Sequence, residues 1–269
     1  CQYVDIYVSL NNSLNFKGES MKLVASCVPN DGEETIIIPN NVTNRARIVI
    51  KAHDNIFFTT GLGNSKIDLP TKPGFITEIV DNKKSSCLPE AIDFEIQTTA
   101  LVGMTDSIQF EIVSGLPEGA VASFESEKVV AGSNNTLHLN LDSVQGTADY
   151  EVLVRSFAPG IDTIVRKVYI SVTGTNIDNM IPFSPENGIE GVGPTQKYYW
   201  SKLEDAKEYQ LQVATSPSFD TEKIIIDYLT PDTSFLSNVF LDKATIYFWR
   251  IRASNDCKIG QWSEIRAFN

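Results

Sequence analysis

The feature that most constrains the fold is an alternation of apolar and polar side chains along most of the chain. It begins at residues 3–10, where Val4, Ile6, Val8 and Leu10 form one apolar set. A period of two places such a set on one face of a β-strand. No segment before residue 70 has the apolar spacing and caps that a helix needs. The sequence therefore predicts an all-β fold, with further strands at 21–27, 35–39 and 46–52.

Alternation of the same kind continues through the middle of the chain. The predicted strands lie at 75–79, 91–98, 107–113, 120–124, 136–141, 148–156 and 164–172. This many short strands in about 100 residues is typical of a two-layered β-sandwich.

Two interruptions divide the chain into three modules. Pro70 and Pro73 stop the first run of strands, because proline cannot donate to a central β-ladder. A polar stretch at 173–179 separates the second run from a last segment that holds all three tryptophans. The sequence therefore predicts three tandem sandwiches, with boundaries at 1–72, 73–175 and 176–269.

The tryptophans, Trp200, Trp249 and Trp262, are predicted to be spread over strands of the last module. On the strand that holds Trp249, the residues Arg250 and Arg252 alternate with apolar neighbours. The two arginines should therefore point outward, while Trp249 packs in the core.

The charge of the chain limits its partners. It carries 22 basic and 34 acidic side chains, a formal net charge of -12. Phosphate backbones and anionic membranes attract proteins of the opposite sign. No apolar run approaches the roughly 20 residues that cross a bilayer. The sequence predicts neither a nucleic-acid partner nor membrane insertion.

Motifs for catalysis are missing from the sequence. HExxH, GxSxG and a phosphate-binding loop are absent. The two histidines, His53 and His138, fall in different modules and are predicted to have structural or surface roles. Cys87 and Cys257 are predicted to be buried or unpaired thiols, since neither has a histidine nearby in sequence. The sequence predicts no catalytic residue, no metal ligand and no cofactor in this chain.

Two weaker patterns concern acidic loops and aromatic pairs. The loops at 30–34 and 204–205 carry oxygen ligands of the kind that calcium takes, but without the spacing of an EF-hand, so turn and solvated-edge roles are favoured over a structural calcium. The pairs at 57–58 and 198–199 are adjacent aromatics. Because adjacent residues of a strand face opposite ways, one member of each pair should be in the core.

The last module, residues 182–269, resembles a fibronectin type III domain of the version common in secreted proteins of Bacteroidetes-type bacteria. The residues that carry the resemblance are Trp200 and the segments 209–214, 247–255 and 260–264, with Phe268. The middle module is similar to bacterial immunoglobulin-like repeats through the segment 115–120 followed by Phe124. With these resemblances the predicted fold class is three tandem immunoglobulin-like/fibronectin type III-like β-sandwiches.

The first module resembles the β-sandwich that follows the catalytic domain in bacterial metallopeptidases of the reprolysin-like type. The matching segments are 4–9, 23–32, 46–51 and 55–58. Modules of that kind begin with two more strands, so the resemblance implies a chain that starts inside a domain. Cys27 stands where a polar residue is usual, and this departure points to a Cys1–Cys27 disulfide between neighbouring strands.

The same resemblance implies O-glycosylation in the middle module. Three tripeptides match the short acceptor pattern of Bacteroidetes-type bacteria, with Ser107, Ser143 and Thr163 as the acceptor residues.

Together the resemblances imply non-catalytic accessory, binding or spacer modules of a secreted or cell-surface bacterial protein. They point to the C-terminal part of a multidomain metallopeptidase, with an upstream catalytic domain and a protein or glycan at the cell surface as partners. The alternatives are carbohydrate-binding or adhesin modules, and an enzyme whose site is completed by residues upstream of this chain.

Overall fold

The computed structural model describes residues 1–38 and 41–269. Within these ranges the chain forms 21 β-strands and one short 3₁₀ helix, Thr221–Lys223. The all-β fold class is therefore confirmed. In the described part of the chain no helix is long and apolar enough to cross a membrane.

The first five strands form one sheet. They are β1 (Tyr3–Ser9), β2 (Met21–Pro29), β3 (Thr43–Ala52), β4 (Phe58–Thr60) and β5 (Ser65–Ile67). The order across the sheet is β2-β1-β3-β4, and β5 pairs with the start of β3. The predicted strand at 35–39 is wrong for residues 35–38, which form no strand, and Pro39 lies outside the described residues.

The core of this first module is small. Val4, Ile6 and Val28 are buried together, and Ile36 packs against them from the segment that was expected to be a strand. Ile36 contributes an apolar side chain without joining a ladder, so the run of three isoleucines at 36–38 predicts a strand that the structure does not have.

The middle module consists of two facing sheets. Its strands are β6 (Gly74–Ile79), β7 (Lys83–Cys87), β8 (Ile92–Leu101), β9 (Ser107–Ser114), β10 (Val121–Phe124), β11 (Lys128–Val130), β12 (Asn135–Asn140), β13 (Ala148–Phe157) and β14 (Ile164–Thr173). One sheet has the order β10-β12-β8-β6 and the other β11-β9-β13-β14-β7. All strands predicted here are present, whereas β7 and β11 were missed.

Side chains from both sheets fill the space between them. On β8, Ile92, Phe94 and Ile96 are buried, while the residues between them are exposed. The buried hydroxyls of Thr77 and Ser156 lie 2.8 Å apart and are hydrogen-bonded across the core. The alternation read from the sequence therefore corresponds directly to the two-layered packing.

The last module also has two sheets. Its strands are β15 (Pro182–Ser184), β16 (Lys197–Trp200), β17 (Glu208–Ala214), β18 (Ile224–Thr230), β19 (Ser234–Leu236), β20 (Tyr247–Ser254) and β21 (Arg266–Phe268). The sheets have the orders β15-β16-β19 and β18-β17-β20-β21. The proposed boundaries at 72/73 and 175/176 lie in the strand-free segments before β6 and before β15.

Aromatic side chains dominate the core of this module. Trp249 is fully buried, packs edge-on against Tyr198, and donates from its indole Nε1 to the Pro185 carbonyl at 3.2 Å. Trp200 is also buried, whereas Trp262 is only partly buried and lies between β20 and β21, not on a strand as predicted.

The two adjacent aromatic pairs, 57–58 and 198–199, differ in their burial. Tyr198 is buried and Tyr199 is exposed, as their adjacent positions on β16 predict. Phe57 and Phe58 are both exposed, so the prediction for that pair is wrong. Phe57 directly precedes β4 and is not part of a strand, so strand alternation does not apply to it.

Candidate functional site

The cysteines pair differently from the sequence expectation. Cys87 and Cys257 form a disulfide across 170 residues, with their Cα atoms 5.6 Å apart. Cys1 and Cys27 are both free. The predicted Cys1–Cys27 bond is therefore wrong, and so is the prediction of buried or unpaired thiols at Cys87 and Cys257.

The register of the first sheet explains why Cys1 and Cys27 do not meet. Tyr3 lies opposite Pro29, and Val4 lies opposite Val28. Continuing this antiparallel register would place Cys1 beyond Pro29 and not beside Cys27. Cys27 itself sits in a bulge of β2 with a left-handed backbone, φ 53°.

Strand β7 explains how Cys87 reaches the last module. It runs parallel to β14, so that Cys87 lies opposite Thr173, the last residue of the middle module's final strand. Cys257 lies in the turn after β20, which the Asn255 N–H closes by donating to the Lys258 carbonyl at 2.9 Å. The disulfide therefore joins the second and third modules at the segment that connects them.

A buried carboxylate lies at the same place. Asp205 is only 9% exposed, and its Oδ1 accepts a hydrogen bond from the Thr147 hydroxyl at 3.0 Å. Its Oδ2 accepts from the Asn176 N–H at 3.3 Å, and Thr147 Oγ1 accepts from the Gly174 N–H at 2.9 Å. One carboxylate thus connects the middle module, the connecting segment and the last module.

Asn255 completes this joint, which we call the rigid junction and define by Cys87, Cys257, Asp205, Thr147 and Asn255. The Asn255 side-chain amide donates to the Gly174 carbonyl at 2.8 Å and to the Asp205 carbonyl at 2.7 Å. These hydrogen bonds join the middle module, the connecting segment at 174–176 and the last module. A change of the angle between the two modules would therefore break several of these hydrogen bonds together.

An ion pair next to the rigid junction also connects the last module to the segment before it. Lys258 pairs with Asp178, whose other carboxylate oxygen accepts from the Gln261 N–H at 2.8 Å. The hydrogen bond from Lys258 lowers the pKa of Asp178 most, and the Gln261 N–H lowers it further. Asp178 is therefore charged at neutral pH and holds the turn after β20 to the connecting segment.

The first and second modules meet through an ion pair, a tyrosine hydrogen bond and a cation–π contact, and among the described residues no disulfide joins them. Lys167 lies 3.6 Å from Asp31, and the Tyr169 hydroxyl donates to Glu34 at 3.4 Å. Lys83 lies over the Tyr3 ring, 4.6 Å from its centroid. A cleft of about 430 Å³ separates β2 from β6 and β14 at this joint. These contacts are long and partly exposed, and exposed ion pairs contribute little.

The acidic loop at 30–34, considered above for calcium, faces the basic side chains of β14. Burial raises the pKa of Tyr169, and the carboxylates of Glu34, Glu151 and Asp31 raise it further. The Tyr169 hydroxyl therefore stays protonated and remains a donor to Glu34. A structural calcium at the loops 30–34 and 204–205 stays the less favoured alternative. The favoured solvated-edge role is wrong for Asp205, which is buried and accepts a hydrogen bond from Thr147.

A polar cluster in the first module was not found from the sequence. Asp5 is 6% exposed, and its Oδ1 lies 2.8 Å from His53 Nδ1. The same oxygen accepts from the Ser26 hydroxyl at 2.8 Å and from the Cys27 N–H at 2.9 Å. The imidazole of His53 therefore ties β1 to the turn after β3, and the bulge at Cys27 turns its N–H toward the carboxylate.

We expect this cluster to make the first module sensitive to acid. Burial raises the pKa of Asp5, but the Cys27 N–H, the His53 imidazole and the Ser26 hydroxyl together lower it below its usual value. A depressed folded-state pKa stabilises the fold above the unfolded pKa of about 3.9, and this stabilisation is lost as the pH falls through the folded pKa. Asp5→Asn should cost about 2 kcal/mol at neutral pH and remove this acid dependence.

Amide hydrogen exchange of β1 measures this effect. All three tryptophans lie in the last module, so tryptophan fluorescence serves as the internal control and should not change. Asp93→Asn, which removes an exposed carboxylate 2.8 Å from His138 Nδ1, is the matched variant and should have little effect. Equal protection of β1 in Asp5→Asn and the unaltered chain would contradict the assignment.

The two histidines lie in different modules, and each contacts a carboxylate. His53 and His138 each bond to an aspartate of their own module. In the ranges 1–38 and 41–269, no group of three or more His, Cys, Asp or Glu side chains is arranged to hold a metal ion.

The three predicted glycosylation residues are all on the surface. Ser107 begins β9, Ser143 lies in the turn after β12, and Thr163 precedes β14; each is exposed. Their hydroxyls are therefore accessible, and glycosylation stays a prediction.

Comparison with known proteins gives structural likeness at low sequence identity. No protein-family model and no curated protein matches the chain. Domains 4 and 5 of the S-layer protein SbsC align over 47% of this chain and 64% of that chain, with 12% identity and a TM-score of 0.29. The chain thus spans less than two thirds of that structure.

Two further structures align over more of the chain. The FN1-FN3 domains of chicken CNTN1 align over 99% of this chain and 88% of that chain, with 13% identity and a TM-score of 0.34. Fibronectin(III)-like modules of Clostridium thermocellum CbhA align over 72% of this chain and 93% of that chain, with 8% identity and a TM-score of 0.28. Because these scores are low, the assignment as tandem immunoglobulin-like β-sandwich modules rests on the paired sheets of the middle and last modules, whereas the described strands of the first module form one sheet.

Proposed function

We propose that this chain is a non-catalytic accessory segment of a secreted or cell-surface protein, in which rigid sandwiches hold neighbouring parts at a set distance and angle. The observation that carries the proposal is the rigid junction. Modules of one chain move relative to each other by default unless their contact is extensive. Here a disulfide and a buried carboxylate restrict that motion. Disulfides also persist mainly in oxidising compartments, which supports the proposed location.

The distance distribution between two spin labels tests the spacer role. One label is placed at Lys128 in the middle module and one at Lys223 in the last module, with Cys1 and Cys27 replaced by serine so that only the introduced thiols react. We expect a narrow distribution in the disulfide-bonded chain and a broad one after Cys87 and Cys257 are both replaced by serine. A broad distribution in the bonded chain would overturn the spacer role.

A matched pair of labels across the first and second modules provides the control. With one label at Lys66 and one at Lys128, the distribution should be broader than across the rigid junction, because the joint at β14 is held by long, partly exposed contacts. The replacement of Cys87 and Cys257 should leave this second distribution unchanged.

We further propose that the larger protein is a multidomain metallopeptidase and that this chain belongs to its C-terminal part. Support comes from the resemblance of the first module to the sandwich that follows reprolysin-like catalytic domains. The complete reading frame tests this directly, since it should encode an HExxH motif upstream. Casein hydrolysis by the purified chain, lost on adding a chelator, would contradict the non-catalytic role.

A binding or adhesin role is the second candidate, and exposed side chains of the first module favour it. Ile56 is 81% exposed and Phe57 71% exposed, next to each other in the turn between β3 and β4. Exposed apolar groups of this kind mark interaction sites when they are contiguous. A glycan array with the purified chain tests sugar binding, and loss of any signal in Ile56→Ser/Phe57→Ser would place it at this turn.

A further inference from the structure

A stack of alternating aromatic and cationic side chains begins at the buried Phe219 and continues over the outward side chains of β20. Arg250 lies 4.1 Å from the ring of Phe219 and 4.1 Å from the ring of Trp262. Arg252 lies 4.4 Å from the same Trp262 ring. We call this the cation–π ladder and define it by Phe219, Arg250, Trp262 and Arg252, in the order of their contacts.

Two glutamines hold the arginines in place. The Nε and Nη2 groups of Arg250 both donate to Gln212 Oε1, at 3.1 and 2.7 Å. Those of Arg252 donate to Gln210 Oε1, at 2.9 and 2.6 Å. Both glutamine amides in turn donate to the carboxylate of Asp227. Guanidinium planes oriented in this way present fixed faces to aromatic rings.

Within residues 1–38 and 41–269, Arg252 lies over one aromatic ring, that of Trp262, and is therefore the last member of the ladder. Along β20, the outward residues run Arg250, Arg252, Ser254. A hollow of about 530 Å³ is lined by Arg252 and Ser254, while Arg250 and Trp262 do not line it. The hollow therefore lies beyond Arg252, on the side away from Trp262, where the next aromatic member of the ladder would stand.

The walls of the hollow favour an aromatic ring over an ion or a sugar. Leu229 lies in the same cross-strand row as Arg252 and is 56% exposed, and Ile259 is 62% exposed. Lys207, which also lines the hollow, is paired with Asp256 at 2.6 Å. The other polar side chains of the lining are also partnered within the chain, since Ser254 donates to Glu208 at 3.3 Å, Gln210 accepts from Arg252, and Asn255 donates to the Gly174 carbonyl. The groups left to face a ligand are the two apolar side chains and the Arg252 guanidinium, so a π-face gains most, whereas a sugar ring has no π electrons to offer.

We propose that this hollow is a docking site for an aromatic side chain, Tyr or Trp, of a partner protein, which extends the cation–π ladder past Arg252. The site deepens the proposed accessory role by naming the chemistry of a partner. Binding at the hollow and rigidity between modules are measured separately, so either can fail alone.

The test is a titration of the isotope-labelled full chain, followed by NMR, with N-acetyl-L-tryptophanamide as the probe. We expect saturable upfield ring-current shifts at the Arg252 Nε–H and at the methyl groups of Leu229 and Ile259. N-acetyl-L-leucinamide should bind at least roughly fivefold more weakly, because it lacks the π-face. Methyl β-D-glucopyranoside, the sugar probe, should cause no saturable shift there.

Two exposed leucines of the same module provide matched variants. Leu229→Asp removes an apolar wall, keeps the four ladder residues themselves, and should weaken tryptophanamide binding roughly fivefold. Leu236→Asp changes a 63% exposed leucine on the other sheet and should leave binding unchanged. Absence of saturation, equal binding of leucinamide, equal effects of the two variants, or binding of the glucoside alone would each overturn the proposal.

Discussion

Replacing Cys87 and Cys257 together with serine is expected to lower the free energy of unfolding of the second and third modules by about 5 kcal/mol. The disulfide closes a loop of 170 residues, and long loops lose the most entropy in the unfolded chain under the chain-entropy model. The serine variant should also unfold in two steps, since the disulfide cross-link between the modules is gone and only the backbone joins them. Denaturant titration followed by tryptophan fluorescence and circular dichroism measures both effects.

The other two cysteines provide the control for this prediction. Cys1→Ser/Cys27→Ser removes two thiols that are free in the structure and should leave the unfolding curve unchanged. A loss of stability in Cys1→Ser/Cys27→Ser, without a loss in Cys87→Ser/Cys257→Ser, would contradict the Cys87–Cys257 disulfide.

Gly174→Ala is expected to destabilise the rigid junction by about 3 kcal/mol, as overpacking of a buried site does. A Cβ atom at this buried glycine would overlap the carboxylate of Asp205. That carboxylate cannot move aside freely, because Thr147 and Asn176 donate to it. The loss should be seen in the denaturant midpoint and in faster exchange of the Gly174 and Asn176 amides.

Two further variants test whether the overlap with Asp205 causes the loss of stability in Gly174→Ala. Gly74→Ala lies at the first boundary, where an added Cβ would have no atom within 4 Å, and its effect should stay within about 0.5 kcal/mol. Asp205→Ala creates space for the new methyl group, so Gly174→Ala should cost much less in that background. Additive losses in the double variant would show that the overlap with Asp205 is not the cause.

Much of the fold could be predicted because alternation is a local signal. On β8 and β20, apolar residues at every second position meet an opposite sheet, and those strands lie where the pattern placed them. Strand β7 was missed because its sequence, Lys83–Cys87, has no alternating apolar residues and joins the sheet as a parallel edge. The segment 35–38 was a false strand because its three isoleucines at 36–38 favour a strand, whereas in the structure Ile36 packs on the core and the segment joins no ladder.

The candidate sites were less predictable, since their residues are distant in sequence. Asp5 contacts His53 across 48 positions, and Thr147 contacts Asp205 across 58. Neither pair forms a motif of fixed spacing. The cation–π ladder was visible only in part, through the outward positions of Arg250 and Arg252, while Trp262 was assigned to a strand.

The sequence by itself determined the all-β class, the positions of most strands, the inward face of Trp249 and the outward faces of Arg250 and Arg252. These properties follow from the two-residue period of a strand and from the transfer of apolar side chains out of water. The tertiary structure alone decided which cysteines pair, which carboxylates are buried, and where the cation–π ladder ends. Those outcomes depend on which strand edges and turns meet in space, and no local pattern in the chain encodes that meeting.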